Sequence, residues 1–64
     1  MKKLSNINVN ELLNKGYENL SEEELMILAL KGAINSYNNG EEVEFWEAFI
    51  TTTFDNLSNL GWTW

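Results

Sequence analysis

Apolar residues fall along this chain in clusters separated by polar joints that carry glycine. The densest cluster is Leu25-Met26-Ile27-Leu28-Ala29-Leu30, six apolar positions without a break. A run this long covers a helix nearly all the way round, so such a helix needs neighbours on more than one side. Its start is marked by Ser21 and Glu24, which have the spacing of a capping box. The serine side chain accepts from the Glu24 N–H, and the glutamate accepts from the Ser21 N–H. Leu20 and Leu25 stand at the positions of a hydrophobic staple. Glu22, Glu23 and Glu24 place negative charge in the first turn, where the helix dipole favours it. Asn38-Asn39-Gly40 closes the segment, and Gly40 suits the left-handed residue that ends helices. The pattern predicts a central helix over residues 22–38. Gly32 interrupts it at about 1 kcal/mol relative to alanine. Close approach by another helix is the expected reason, with a partner contact or a bend as the alternatives.

Upstream, Val9, Leu12 and Leu13 share one helical face and predict a short helix over about residues 9–15. Asn8 is its candidate N-cap, with Glu11 completing a second capping box, and Gly16 its stop. A helix this short lies well below the ~12–15 residues an isolated helix needs, so it must rest its apolar face on the remainder. Residues 1–7 read as a short frayed lead.

Downstream, a third helix is expected over about residues 41–57, opened by Glu41 and Glu42. At about 100° per residue, Val43, Ile50, Phe54 and Leu57 fall together, with Trp46 beside them. Phe45 and Phe49 lie on the shoulder of that stripe, and Glu44, Glu47 and Asp55 take the other side. The apolar arc spans about half the circumference, more than a single contact with the central helix requires. Thr51-Thr52-Thr53 are poor helix formers, but the periodicity on both sides carries the helix through them. Gly61 marks its end. In the tail, Trp62 and Trp64 alternate as in a strand. Trp62 is expected to fold back and cap the core; the other reading is that one or both indoles anchor a partner, since tryptophan is enriched in binding hot spots. The fold class is all-α: one small three-helix domain with a short first helix, a central buried helix and an amphipathic third helix.

Composition narrows the function. With 64 residues, a chain buries only about 60% of its unfolded surface and has a stability margin of no more than ~3–5 kcal/mol unless a partner or a second copy helps. There is no cysteine, histidine, arginine or proline. These absences remove thiolate and imidazole metal ligands, the commonest general base and the bidentate grip on phosphate. The four lysines all lie within residues 1–31, whereas residues 32–64 hold Glu41, Glu42, Glu44, Glu47 and Asp55 with no base. This acidic half argues against direct nucleic-acid binding, which needs Lys and Arg, and suits a basic protein partner or plain solubility. No apolar run approaches the ~20 residues of a membrane span. The Met-Lys-Lys start is followed at once by Asn6, Asn8, Asn10 and Glu11 and not by an apolar signal segment, so a cytoplasmic location is expected. Abundant Asn and Glu without Arg point to an AT-rich genome, bacterial or phage.

No catalytic constellation emerges. The carboxylates sit where helix ends want them, Gly16, Gly32, Gly40 and Gly61 form no phosphate loop, and the hydroxyl residues have no base nearby in sequence. The expectation is therefore not an enzyme, with no cofactor and no metal. It is a small acidic helical protein that binds and inhibits or modulates another protein presenting a basic or apolar groove, such as a phage-encoded antagonist of a host enzyme. The candidate contacts are Phe45, Phe49, Trp62 and Trp64, with Glu44 and Glu47 in the rim. Two alternatives accompany it: a DNA mimic that occupies a nucleic-acid-binding protein, and a self-associating module that buries its surplus apolar face in a homodimer.

Leu20-Ser21-Glu22-Glu23-Glu24-Leu25 and Glu44-Phe45-Trp46-Glu47-Ala48-Phe49 together resemble the Sda family, small bacterial helical hairpins that inhibit the sensor histidine kinase starting sporulation. The resemblance covers residues 20–57. This chain departs from the family in a longer connection, in the lack of basic residues at the end of the second arm, and in residues 1–19 and the tryptophan-rich tail. The resemblance implies binding to a kinase's helical phosphotransfer domain through the apolar side of the hairpin.

Overall fold

The computed structural model describes residues 2–64. Three helices form, α1 (Val9–Lys15), α2 (Glu22–Asn38) and α3 (Val43–Asn59), with 3-10 turns at Leu4–Asn6 and Tyr17–Asn19. Two short strands, β1 (Lys2–Lys3) and β2 (Trp62–Thr63), pair in parallel, with Lys2 opposite Trp62 and Lys3 opposite Thr63. The molecule is a small all-α domain with this one strand pair joining its two ends.

α2 starts as its sequence dictates. The Ser21 hydroxyl accepts from the Glu24 N–H at 3.1 Å, and the Glu24 carboxylate accepts from the Ser21 N–H at 3.0 Å. Its end is a Schellman turn around Gly40, whose φ is +79°. The Gly40 N–H reaches the Tyr37 carbonyl at 3.0 Å, and the Glu41 N–H reaches the Ser36 carbonyl at 3.2 Å. Those two bonds satisfy carbonyls that the helix leaves open. They also displace the expected start of α3. With Gly40 and Glu41 occupied in closing α2, the chain turns through Glu42 in a left-handed conformation (φ 41°, ψ 54°) before α3 begins at Val43. Glu42 supplies no side-chain cap. Helix α3 accordingly runs from Val43 to Asn59, two residues later at each end than the pattern suggests. Within it the Thr51 hydroxyl donates to the Glu47 carbonyl at 2.9 Å, a local bond that lets threonine sit inside a helix.

Two further expectations are corrected. Asn8 does cap α1, but its side chain accepts from the Asn10 N–H at 2.9 Å. The Glu11 N–H is taken by the Asn8 carbonyl at 3.1 Å, so no capping box forms there. The lead is not frayed over its described part; Met1 lies outside the described residues. Lys2 and Lys3 pair with β2, the Ser5 N–H donates to the Trp64 carbonyl at 3.1 Å, and Leu4 is completely buried. One leucine going wholly into the core contributes about 1.5–3 kcal/mol toward ordering this segment, which a propensity reading does not register.

The core gathers at one end of the hairpin that α2 and α3 make. Leu4, Leu12, Ile27, Leu30 and Leu57 form its centre, with Ile34, Ile50, Phe54 and Trp62 among the side chains packed on it. α2 is packed by both α1 and α3, yet its apolar run is not enclosed all round. Leu25 is 40% exposed, and Ala29 and Gly32 face out. A side chain at Gly32 would meet nothing within 4 Å, so close helix approach is not why a glycine stands there. Among the described residues, no helix is long and apolar enough to cross a membrane.

Candidate protein-binding surface

α3 contributes to the core cluster through Ile50 near its middle and Phe54 and Leu57 in its second half. Its first half lies toward the turn at residues 39–42, away from the end where α1, the Leu4 segment and the tail are gathered. Val43 and Trp46 share the angular stripe of the core residues and yet remain 39% exposed and half-buried, respectively. Periodicity identifies the apolar stripe of a helix. It does not tell how far along that stripe the neighbouring elements extend.

Three aromatic rings organise this outer half. Phe45 is 60% exposed and meets Trp46 edge to face, with ring centroids 5.0 Å apart and an interplanar angle of 77°. Trp46 meets Phe49 in the same manner at 5.8 Å and 80°. Such pairs favour one another beyond their area burial, so the rings hold each other in place on the surface. A depression lined by Glu42, Val43, Glu44 and Phe45 opens on one side. A second, lined by Glu44, Glu47, Ala48, Thr51 and Thr52, lies beside it. Glu44 lines both.

Among the described residues, the acids around these rings have no lysine partner. Among the described residues the ion pairs are Lys2–Glu23 at 3.4 Å and Lys15–Glu24 at 2.7 Å. Lys31 donates to the Ile7 carbonyl at 2.8 Å. Glu23 and Glu24 in the first turn of α2 thus have lysine partners, and the acids of the 41–55 segment have none among the described residues. Glu24 is held below the usual carboxylate range by the Lys15 ammonium and then by the Ser21 N–H.

The four aromatic candidates from the sequence do not form one site. Phe45 and Phe49 come together around Trp46, flanked by Glu44 and Glu47. Trp62 is elsewhere and half-buried. Its indole N–H donates to Glu23 at 2.9 Å, and the Lys2 ammonium lies 5.6 Å from its ring centroid. It closes the fold, as a capping indole should. Trp64 is 54% exposed, lies edge-on to Phe54 at 6.5 Å and has the Lys31 ammonium 5.8 Å from its ring. With Leu30, Ile34, Ile50 and Phe54 it lines a separate apolar groove of about 370 Å³. Trp46, Val43 and Glu42 belong to the α3 surface although sequence reasoning placed the first two in the core and the third in a helix cap.

No family model, no curated protein and no solved structure matches this chain.

Proposed function

We propose that this protein binds another protein through the outer half of α3 and thereby inhibits or modulates it. The observation that carries the reading is Phe45, a large ring standing 60% exposed among further aromatic surface and acids without a lysine partner among the described residues. Isolated exposed apolar residues are ordinary on protein surfaces, but a braced aromatic cluster with a charged rim has the make-up of a binding hot spot. Phe49, Glu44 and Glu47 join Phe45 in that surface, with Trp46 and Val43 completing it. Trp62 serves the fold in this reading, and Trp64 lies outside the contact. The chain acts as a cytoplasmic binding protein and not as a catalyst. An antagonist of a host enzyme carried by a phage fits this size and charge. The Sda-like residues make a kinase's helical phosphotransfer domain one member of the partner class.

The test is affinity capture from a lysate of the source cell with two baits, the natural chain and Phe45→Asp, each verified as helical by circular dichroism. A stoichiometric partner held by the first and lost from the second supports the proposal. Equal recovery on both baits, or none on either, counts against it.

The acids of α3 support a second reading, mimicry of nucleic acid. Salt separates the two. A mimic's affinity collapses as ionic strength rises, because charge supplies it, whereas a contact anchored by Phe45 keeps most of its strength.

A further inference from the structure

We infer that the segment docking on α3 is a cationic amphipathic helix, with lysines or arginines flanking an apolar stripe. The inference rests on the protein-binding reading above and adds the chemistry of the occupant. Its first support is charge complementarity. Glu42 and Glu44 line the depression that Phe45 shares, and Glu44 and Glu47 line the second one; among the described residues the chain's ion pairs involve only acids of α2. An incoming lysine or arginine meets carboxylates that give up no internal partner. The same charge argues against a second copy, which would bring its own Glu42, Glu44 and Glu47 to the interface of a chain with net charge −6. Like charges across an interface oppose association.

The second support is shape. Strand addition needs an unpaired edge of some length, and the two strands here are two residues each. What the surface offers instead is a helix face. Phe45, Phe49 and Thr52 follow one another at spacings of three to four residues, forming a ridge with depressions beside it. Residues 43–52 extend about 15 Å at 1.5 Å per residue, enough to seat roughly two to three turns of a second helix. Helices recognise one another by laying such ridges into grooves.

The test uses the full chain and three synthetic 14-residue probes: a helical peptide with leucines on one face and lysines beside them, the same peptide with every lysine replaced by glutamate, and the lysine peptide with its order scrambled. Amide chemical shifts of labelled protein map the site, and titration gives the affinities. The expected result is that the lysine helix shifts residues 42–52. It should bind about tenfold or more tightly than the scrambled and glutamate peptides, and lose about tenfold on Phe45→Ala. A Glu44→Lys/Glu47→Lys variant should reverse the preference toward the glutamate helix; this also guards against a Phe45→Ala result caused by altered folding. Binding that is equal for the scrambled peptide, or that ignores Phe45, is diffuse attraction and overturns the inference. Equal affinity for the glutamate helix, or a concentration-dependent dimer whose contacts map to residues 42–52, overturns it as well. If a cellular partner is nevertheless captured through Phe45, the protein-binding reading survives and only the cationic helix falls.

Discussion

The indole N–H of Trp62 donates to Oε1 of Glu23 at 2.9 Å, across 39 positions of sequence. The bond ties the tail to the first turn of α2, and Lys2 joins the same carboxylate oxygen at 3.4 Å. A carboxylate at the start of α2 therefore serves three purposes. It favours the helix dipole, holds the indole that closes the core, and anchors the strand that carries Leu4 inward. The donation from Trp62 first, and then that from Lys2, hold the Glu23 carboxyl below its ordinary value of 4.5.

That shift fixes the direction of a pH effect. A carboxyl whose folded-state pKa is depressed contributes stability above its unfolded value, because the unfolded chain takes up the proton first on acidification. The contribution is complete at neutral pH and is lost as pH falls below about 4.5 through the lower folded value. Trp62→Phe keeps an aromatic ring but removes the donor together with the indole's five-membered ring. It should lower the melting temperature at every pH through lost packing and by more at pH 7 than in acid, so that the gap between the two proteins narrows as pH falls below about 4.5. Thermal melts from pH 3 to 7 measure both. Parallel curves for the two proteins would separate Glu23 from the effect.

Leu4 is the deepest consequence of the strand pair. It is completely buried, brought in by β1 paired with β2 and by the Ser5 N–H bond to the Trp64 carbonyl. Leu4→Ala should cost about 2–5 kcal/mol, the range for emptying a buried leucine site. Against a margin of ~3–5 kcal/mol, much of the protein would be unfolded at 25 °C. Removing Trp62–Trp64 should have a comparable effect, because it takes away β2 and uncovers Leu4. Leu13→Ala, on an exposed position, should stay within about 0.5 kcal/mol. Urea denaturation of the three variants gives the comparison.

What the sequence made readable follows the range of the forces involved. Ser21 with Glu24, and Gly40 after Asn39, act within a few residues of themselves, so both ends of α2 are legible from neighbours alone. The first half of the Asn8 cap is legible for the same reason. Lys2–Lys3 is not: two residues show no period, and their partner lies 60 positions away. The surface on α3 is half legible. The 100° rule placed Phe45 and Phe49 off the core stripe; Phe45 is well exposed, whereas Phe49 is half-buried. The rule also put Val43 and Trp46 on the buried side. The shortness of α1 is legible, since its predicted span matches Val9–Lys15; what no local signal records is that the core gathers at the opposite end of the hairpin. Gly32 misled for a related reason. A glycine in a helix indicates close approach only where something approaches.

The two glycines of α2 and its turn should respond to alanine in opposite ways. Gly32 lies inside the helix with open space around it, so Gly32→Ala should stabilise by about 1 kcal/mol through helix propensity. Gly40 has a φ of +79° in the closing turn, where a Cβ is sterically opposed. Gly40→Ala should destabilise by about 1–2 kcal/mol, although it too has empty space around it. Denaturant midpoints of the two variants read the contrast directly. A loss of stability in Gly32→Ala would mean that the exposed face of α2 is covered by something in solution.

Phe45 and Phe54 offer the sharpest separation of folding from binding, because they lie on one helix with opposite surroundings. Phe54 is partly buried against the core cluster, so Phe54→Ser should cost about 2–3 kcal/mol, less than emptying a wholly buried phenylalanine site, as that apolar contact is lost and a hydroxyl replaces it. Phe45 is 60% exposed, with the edge contact to Trp46 as its main attachment. Phe45→Ser should therefore cost no more than about 1 kcal/mol of stability. On the proposed function, the same change should weaken partner binding by about tenfold or more. Glu44→Gln/Glu47→Gln should leave the melting temperature nearly unchanged, since neither acid has an ion pair among the described residues, while slowing association and flattening its dependence on salt. The decisive measurement pairs a urea midpoint with a binding constant for each variant. Phe45→Ser that binds as well as the natural chain would leave the α3 surface without a role, however exposed its rings are.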